Sequence, residues 1–113
     1  MKPVVKVYLV PTSWSEDQLQ AIHASIVGAM IGFNNIQSED DFLTLFPTDL
    51  MQKGLGTEIH VEIDVPDRIR SYTVYDSRIA ERVGRAIGEH LPAAYVQCKV
   101  YKYEPDEGSW QSE

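Results

Sequence analysis

The chain of 113 residues carries a net charge of −7, is 43% hydrophobic and 24% charged, and contains one cysteine. This length predicts one domain over residues 1–113, without a second core. The acidic balance disfavours nucleic-acid binding, because contact with a phosphate backbone needs a basic face. No apolar run approaches the ~18 residues of a membrane span, and the start lacks a signal-peptide pattern. The lone Cys98 excludes an internal disulfide and fits a reducing cytoplasm. We therefore expect a cytoplasmic protein that, by its charge and hydropathy, binds neither nucleic acid nor membrane.

The first half of the sequence predicts a strand, a helix and a second strand. Residues 4–10 alternate in polarity as a half-buried strand does, up to Pro11. A helix over about residues 15–32 follows, with a capping box in one of two registers, Ser13 with Glu16 or Ser15 with Gln18. Apolar residues recur along it at three- and four-residue steps: Leu19, Ile22, Ile26, Met30 and Phe33. Residues 41–46 predict a short strand that is apolar on both faces.

The second half predicts the same order of elements. Residues 58–65 alternate, with His60 and Glu62 on the polar face. A polar connection over residues 66–71 leads to a helix that Asp76 or Ser77 caps and that ends before Pro92. The apolar seam of this helix comprises Ile79, Val83 and Ile87.

The last predicted strand covers residues 95–103. Cys98 lies on its core face, where we expect an inert thiol, while Tyr101 and Tyr103 share the polar face. Residues 104–113 form an acidic tail, and we expect Trp110 to be pinned against a neighbouring subunit, because an indole is costly to leave in water.

The two halves, residues 3–47 and 57–103, are similar at an offset of 56 residues. This offset aligns residues 27–32 with 83–88 and residues 41–46 with 97–102. An α+β fold of two β-α-β units related by a pseudo-twofold axis is therefore predicted.

The opening Pro3-Val4-Val5-Lys6-Val7-Tyr8-Leu9, the Ser-capped helix and the second β-α-β unit resemble the tautomerase superfamily over residues 3–103. Its branches include the oxalocrotonate tautomerases, macrophage migration inhibitory factor, the chloroacrylate dehalogenases and malonate semialdehyde decarboxylase. The resemblance implies a four-stranded sheet with two helices on one face, and a homotrimer that closes into a barrel. The polar second face of the strands would then line a central channel.

The resemblance also implies a chemistry. Members of the family use the secondary amine of an N-terminal proline as a base, acid or nucleophile, while arginines hold the carboxylate of a 2-keto or unsaturated acid. Here Pro3 follows Met1 and Lys2, so its nitrogen is a tertiary amide without a basic lone pair. Because Lys2 is too large for ordinary methionine removal, Pro3 is a catalytic candidate only if it is exposed as the N-terminus. The free amine of Met1 is an alternative weak base.

Four further residues are candidates for binding a substrate. Arg68 and Arg70 follow a strand, where family members often place carboxylate-binding arginines, and both lie on one side if the segment is extended. They then form a two-arginine anion clamp; the alternative is a solvated loop pair. Tyr101 and Tyr103 occupy the place where dehalogenase-like relatives position water or substrate, with Glu107 as the counterpart of a later glutamate. The alternative is that both tyrosines pack at a subunit interface.

No metal site or cofactor is predicted, since the three histidines and Cys98 have no ligand spacing. His60 is the one histidine placed for acid–base work, although a structural or channel-lining role is the favoured interpretation.

We therefore expect a homotrimeric tautomerase-like protein with a pocket for a small carboxylate and an isomerase activity that is weak or lost. One alternative is a non-catalytic structural or regulatory oligomer. Another is a ferredoxin-like α+β dimer of the monooxygenase type, whose middle strands would form a hairpin. The eleven-residue connection 47–57 is long for a hairpin, which favours two parallel units.

Overall fold

A computed structural model describes residues 2–33, 36–47, 57–67, 74–108, 110 and 112. Each half of the chain has the order strand, helix, strand, as the sequence predicts. In chain order they are β1 (Val4–Tyr8), α1 (Glu16–Met30), a short 3-10 turn (Glu39–Asp41), β2 (Leu43–Leu45), β3 (Glu58–Pro66), α2 (Val74–Gly88) and β4 (Tyr95–Tyr103).

The four strands form one mixed sheet in the order β2-β1-β3-β4. Strand β1 is parallel to β2 and β3 is parallel to β4, while β1 and β3 run antiparallel at the centre. Each half is therefore a parallel β-α-β unit, as predicted. Because β1 lies between β2 and β3, the middle strands of the chain form no hairpin, and the ferredoxin-like alternative is wrong.

Helix α1 begins with the second of the two predicted capping boxes. The Gln18 N–H donates to the Ser15 hydroxyl at 3.3 Å, and the Ser15 N–H donates to the Gln18 side-chain oxygen at 2.8 Å. Two N–H groups without a partner in the helix are satisfied in this way. The helix ends at Met30, and Gly32 follows with φ +96°, a conformation that glycine adopts without a steric cost.

Three predicted boundaries differ from the structure. Strand β1 stops at Tyr8, because Leu9 adopts φ +73° and turns the chain out of the sheet. Strand β2 is three residues long, since a 3-10 turn occupies the first part of the predicted segment. Helix α2 begins at Val74, ahead of the predicted caps, so Asp76 lies in its first turn and Ser77 is exposed inside it.

Both helices pack on one face of the sheet. Their buried residues meet the inward side chains of β1 and β3 in one core: Val5, Val7, Ile22, Ile26, Ala29, Met30, Ile59, Val61, Ile63, Val65, Ile79, Val83 and Ile87. The helices also contact each other, since the Arg82 guanidinium donates to the Gly28 carbonyl at 3.2 Å and Ser25 is hydrogen-bonded to His90 at 2.8 Å. Each fully buried isoleucine or valine contributes about 1.5–3 kcal/mol, so this single layer dominates stability.

Cys98 packs against this core from β4, as predicted. A Cβ at Gly84 would lie 3.4 Å from the Cys98 Cβ, so α2 and β4 approach closely there. Burial raises the pKa of the Cys98 thiol to about 12, although a hydrogen bond with the Gly84 backbone opposes the shift. The thiolate is therefore scarce at neutral pH, which lowers the nucleophilic reactivity of this side chain.

No helix in the described part of the chain is long and apolar enough to cross a membrane. In the tail, the Trp110 side chain is 84% exposed, and its packing against a neighbouring subunit stays a prediction.

Candidate functional site

The face of the sheet opposite the helices is polar, as the alternation of the strands predicts. We call it the open face. It consists of Val4, Lys6, Tyr8, Glu58, His60, Glu62, Asp64, Tyr95, Gln97, Lys99, Tyr101 and Tyr103 from the three long strands, together with Leu43 and Leu45 from β2. Side chains two residues apart on each strand share this face, while the residues between them enter the core.

Lys6 is held between two carboxylates at the centre of the open face. Its Nζ lies 2.8 Å from Asp64 Oδ2 and 3.3 Å from Glu62 Oε2. The hydrogen bond with Asp64 does most to raise the pKa of Lys6 above its usual value; partial burial opposes this, and Glu62 adds to the rise. Lys6 is therefore a fixed cation and not a proton acceptor at neutral pH.

One end of the open face carries Pro3, and we call it the proline end. Pro3 precedes β1, and its carbonyl accepts a hydrogen bond from the Leu43 N–H at 2.9 Å. In the sheet register Val4 lies opposite Asp64, and Asp64 opposite Tyr101. Two residues further along each strand, Pro66 pairs with Tyr103. The structure thus brings Tyr101 and Tyr103 to the end of the sheet at which Pro3 lies.

The other candidates from the sequence are placed less closely or not at all. Arg68, Arg70 and Met1 lie outside the described residues. Asp67 is the last described residue before Arg68, and its N–H donates to the Tyr103 carbonyl at 2.8 Å. Glu107 lies beyond β4 in a turn, where its N–H donates to the Glu104 carbonyl at 3.2 Å.

A partly buried ion cluster that the sequence analysis missed lies on the helix side of this end. Lys102 Nζ is 3.1 Å from Asp76 Oδ2 and 3.4 Å from Asp67 Oδ2. Burial lowers the pKa of Lys102, but hydrogen bonds and charge interactions with Asp76 and Asp67 outweigh it, so the net shift is upward. The signal available in the sequence was that Lys102 alternates in phase with Cys98 and Val100, which lie on the face of β4 toward the core. Asp67 and Asp76 flank residues 68–73, which contain both arginines.

A separate cavity of about 460 Å³ opens in the middle of the open face. We call it the face pocket. The open-face side chains that line it come from three strands: Tyr8, His60, Glu62, Gln97, Lys99 and Tyr101. The Lys99 ammonium lies 5.4 Å from the centre of the Tyr101 ring, within the range of a cation–π contact. The pocket thus gathers a cation, hydrogen-bonding groups and aromatic surface. Among the described residues, no group of three or more histidine, cysteine or acidic side chains is arranged to hold a metal.

Solved structures of tautomerase-superfamily proteins are similar to this chain. A wild-type fused 4-OT symmetric trimer, W0, matches with a TM-score of 0.69 at 9% identity, over 96% of this chain and 93% of that chain. N1, a member of the cis-3-chloroacrylic acid dehalogenase family, matches with a TM-score of 0.69 at 11% identity, over 97% and 81%. A malonate semialdehyde decarboxylase matches with a TM-score of 0.62 at 13% identity, over 96% and 91%.

The chain therefore has the tautomerase-superfamily fold, which confirms the resemblance predicted from its sequence. No family model and no curated protein matches the sequence. At these identities the similarity describes the fold, and activity has to be argued from the residues.

Proposed function

We propose that this chain forms one tautomerase-like domain that assembles as a homotrimer and binds a small carboxylate, a 2-keto or unsaturated acid, at the proline end. The observation that carries the proposal is that Pro3, Tyr101 and Tyr103 lie at the same end of the sheet, with β3 between β1 and β4. Arg68 and Arg70 follow Asp67 in the sequence, and in this proposal their guanidinium groups pair with the carboxylate.

The isomerase activity of this site is weak or lost. The Pro3 nitrogen is part of a peptide bond with Lys2 in this chain, so it has no lone pair for proton transfer. The nearest lysine on the same strand, Lys6, is kept protonated by Asp64 and Glu62. Neither Pro3 nor Lys6 can therefore act as the proton acceptor that general base catalysis requires.

Tautomerisation of phenylpyruvate and 2-hydroxymuconate tests the proposal. It is measured for the full chain, for a chain beginning at Pro3, and for both carrying Arg68→Ala. We expect little activity from the full chain, a gain on trimming, and a loss of that gain in R68A. The control is Arg85→Ala, since Arg85 lies on the exposed side of α2 and pairs with Glu81 at 2.8 Å. Background rates in the trimmed chain, together with no effect of R68A, would reject a substrate site at this end.

Exposed apolar side chains at both edges of the sheet support self-association. Leu43 and Leu45 on β2 are 50% and 45% exposed, and Tyr95 on β4 is 60% exposed. Edge strands also present unpaired backbone groups, which a neighbouring strand can satisfy. Multi-angle light scattering is expected to give the mass of a trimer, and a monomer or dimer would reject this assembly.

A non-catalytic structural or regulatory oligomer is the second candidate. It is favoured by the same two facts that weaken catalysis, the amide nitrogen of Pro3 and the protonated Lys6. A trimer that is inactive in both the full and the trimmed chain would support it.

A further inference from the structure

Lys99 is a cation without a carboxylate partner in the described part of the chain. Lys6, Glu62 and Lys99 lie side by side in one row across β1, β3 and β4. Glu62 is the carboxylate of this row, and its Oε2 pairs with Lys6 at 3.3 Å. Lys99 forms no ion pair with any described residue and lies instead over the Tyr101 ring.

The face pocket surrounds this cation with groups that suit a small anion. The Tyr8 hydroxyl, the His60 imidazole and the Gln97 amide line the same cavity, and each can donate a hydrogen bond. Glu62 also lines it, and Lys6 pairs with both Glu62 and Asp64, so these three groups together carry one net negative charge, which the Lys99 ammonium balances. The rings of Tyr8 and Tyr101 add apolar surface at two sides.

We propose that the face pocket is a binding site for a small aromatic carboxylate, distinct from the site at the proline end. The carboxylate pairs with the Lys99 ammonium, and the ring of the ligand packs against Tyr101 and Tyr8. A volume of about 460 Å³ lies within the range of small-molecule pockets. Tyr8 is five residues along β1 from Pro3, which corresponds to about 16 Å of extended chain. The two sites share Tyr101 and otherwise use different residues.

An NMR titration of the full chain with 3-phenylpropionate tests this site. This probe has a carboxylate and a ring but no keto group, so binding is measured without any reaction. For a ligand of this size we expect a dissociation constant on the order of 1 mM, with amide shifts at Tyr8, His60, Gln97 and Lys99. The uncharged 3-phenylpropanamide is expected to bind at least about tenfold more weakly, because it cannot pair with an ammonium.

Variants separate the face pocket from the proline end. Lys99→Gln is expected to weaken binding about tenfold, and His60→Ala about two- to fivefold, with unchanged folding by circular dichroism. Lys2→Gln and Arg85→Gln, which each remove a cation outside both proposed sites, are the matched controls, and both are expected to leave the dissociation constant within about twofold. Arg68→Gln is measured beside them as the variant that reports on the proline end.

Two results would overturn the proposal that the face pocket binds a small aromatic carboxylate. Equal binding of the acid and the amide would remove the role of Lys99. Loss of binding in R68Q but not in K99Q would place the ligand at the proline end, which would leave the proposed carboxylate function intact. Conversely, loss in K99Q with no effect of R68A on tautomerisation would retain the face pocket and reject the substrate site at the proline end.

Discussion

Lys6 and Glu62 lie directly opposite each other at the centre of the β1–β3 ladder, and they are also 56 residues apart in the sequence. The flanking pairs are Val5 with Ile63 and Val7 with Val61. The same offset takes Val5 to Val61 and Val7 to Ile63, so each flanking pair is the symmetry partner of the other. The pseudo-twofold axis therefore passes through the Lys6–Glu62 pair, at the middle of the open face.

Replacing Lys6 with methionine should destabilise the protein. Asp64 and Glu62, two residues apart on the same face of β3, would lose the cation that pairs with both of them and would repel each other. We expect a loss of about 1 kcal/mol in the free energy of unfolding, because all three side chains stay partly exposed and solvent screens the charges. Urea denaturation measures it, with Lys99→Met as the control, since Lys99 has no ion pair with a described residue. Equal losses in both variants would contradict this account.

The contribution of Lys6 should also depend on pH in a defined direction. Its pKa is higher in the folded state than the ~10.4 of an unfolded lysine. Its stabilisation is therefore complete below about pH 10 and is lost as the pH rises through the folded pKa. The difference in unfolding free energy between the wild type and K6M should stay constant from pH 7 to 9 and shrink above about pH 10.4. A difference that grows in the alkaline range would reject the ion pairs as its source.

Removing the cap of α1 distinguishes the two registers that the sequence offers. Ser15→Ala should lower the free energy of unfolding by about 1 kcal/mol, because the Gln18 N–H loses its acceptor. Ser13→Ala is the matched control and should have an effect below about 0.5 kcal/mol, since Ser13 is exposed and lies outside the capping box. Thermal or urea denaturation gives both values, and a larger loss in S13A would contradict the observed register.

Two glycines at similar places in the helices should respond differently to alanine. Gly28 lies on the exposed side of α1 with no atom within 4 Å of an added Cβ, so Gly28→Ala should stabilise by about 0.5–1 kcal/mol. At Gly84 the added Cβ would meet the Cys98 Cβ at 3.4 Å, so the gain from helix propensity is smaller. Denaturation midpoints compare the two, and a gain in G84A that equals that in G28A would show that α2 and β4 are not closely packed.

The thiol of Cys98 should react slowly in the folded protein. With a pKa of about 12 against ~8.5 for an unfolded cysteine, the thiolate fraction at pH 8 is lower by roughly 10³-fold. Iodoacetamide alkylation, followed by mass spectrometry, should be slower by at least about 10²-fold in buffer than in urea. Similar rates in both conditions would mean that the thiol is accessible and not buried against Gly84.

The alternation of β1, β3 and β4 was enough to predict the sheet, its apolar face and its polar face, because period 2 follows from strand geometry. The repeat was predicted less accurately. The 56-residue offset holds for β1 and β3, but the buried residues of α1 recur in α2 after 57 residues, as Ile22 and Ile26 do in Ile79 and Val83. The similarity of residues 27–32 to residues 83–88 is thus one residue out of step with the packing. Connections of different length allow such shifts, because the core requires an apolar face on each helix but does not fix how many residues separate the two faces in the sequence.

The contacts of the site could not be predicted in the same way. Period 2 placed Lys6 and Glu62 on one face, but only the register between β1 and β3 makes them partners. Tyr101 and Tyr103 were placed correctly on their strand, while their position at the proline end depends on the parallel pairing of β3 with β4. Lys102 was missed because its partners, Asp67 and Asp76, come from two other elements. These are long-range relationships that local patterns do not contain.

The ion pairs of Lys102 fix both ends of the stretch that carries Arg68 and Arg70, since Asp67 precedes it and Asp76 follows it. Lys102 lies on β4, so these two ion pairs are made from outside residues 68–73. Under the function proposed above, substitutions in these six positions would change which anion is recognised while Lys102 keeps its pairs with Asp67 and Asp76. Recognition of the anion and anchoring by Lys102 would then depend on different residues, so that one could change without the other.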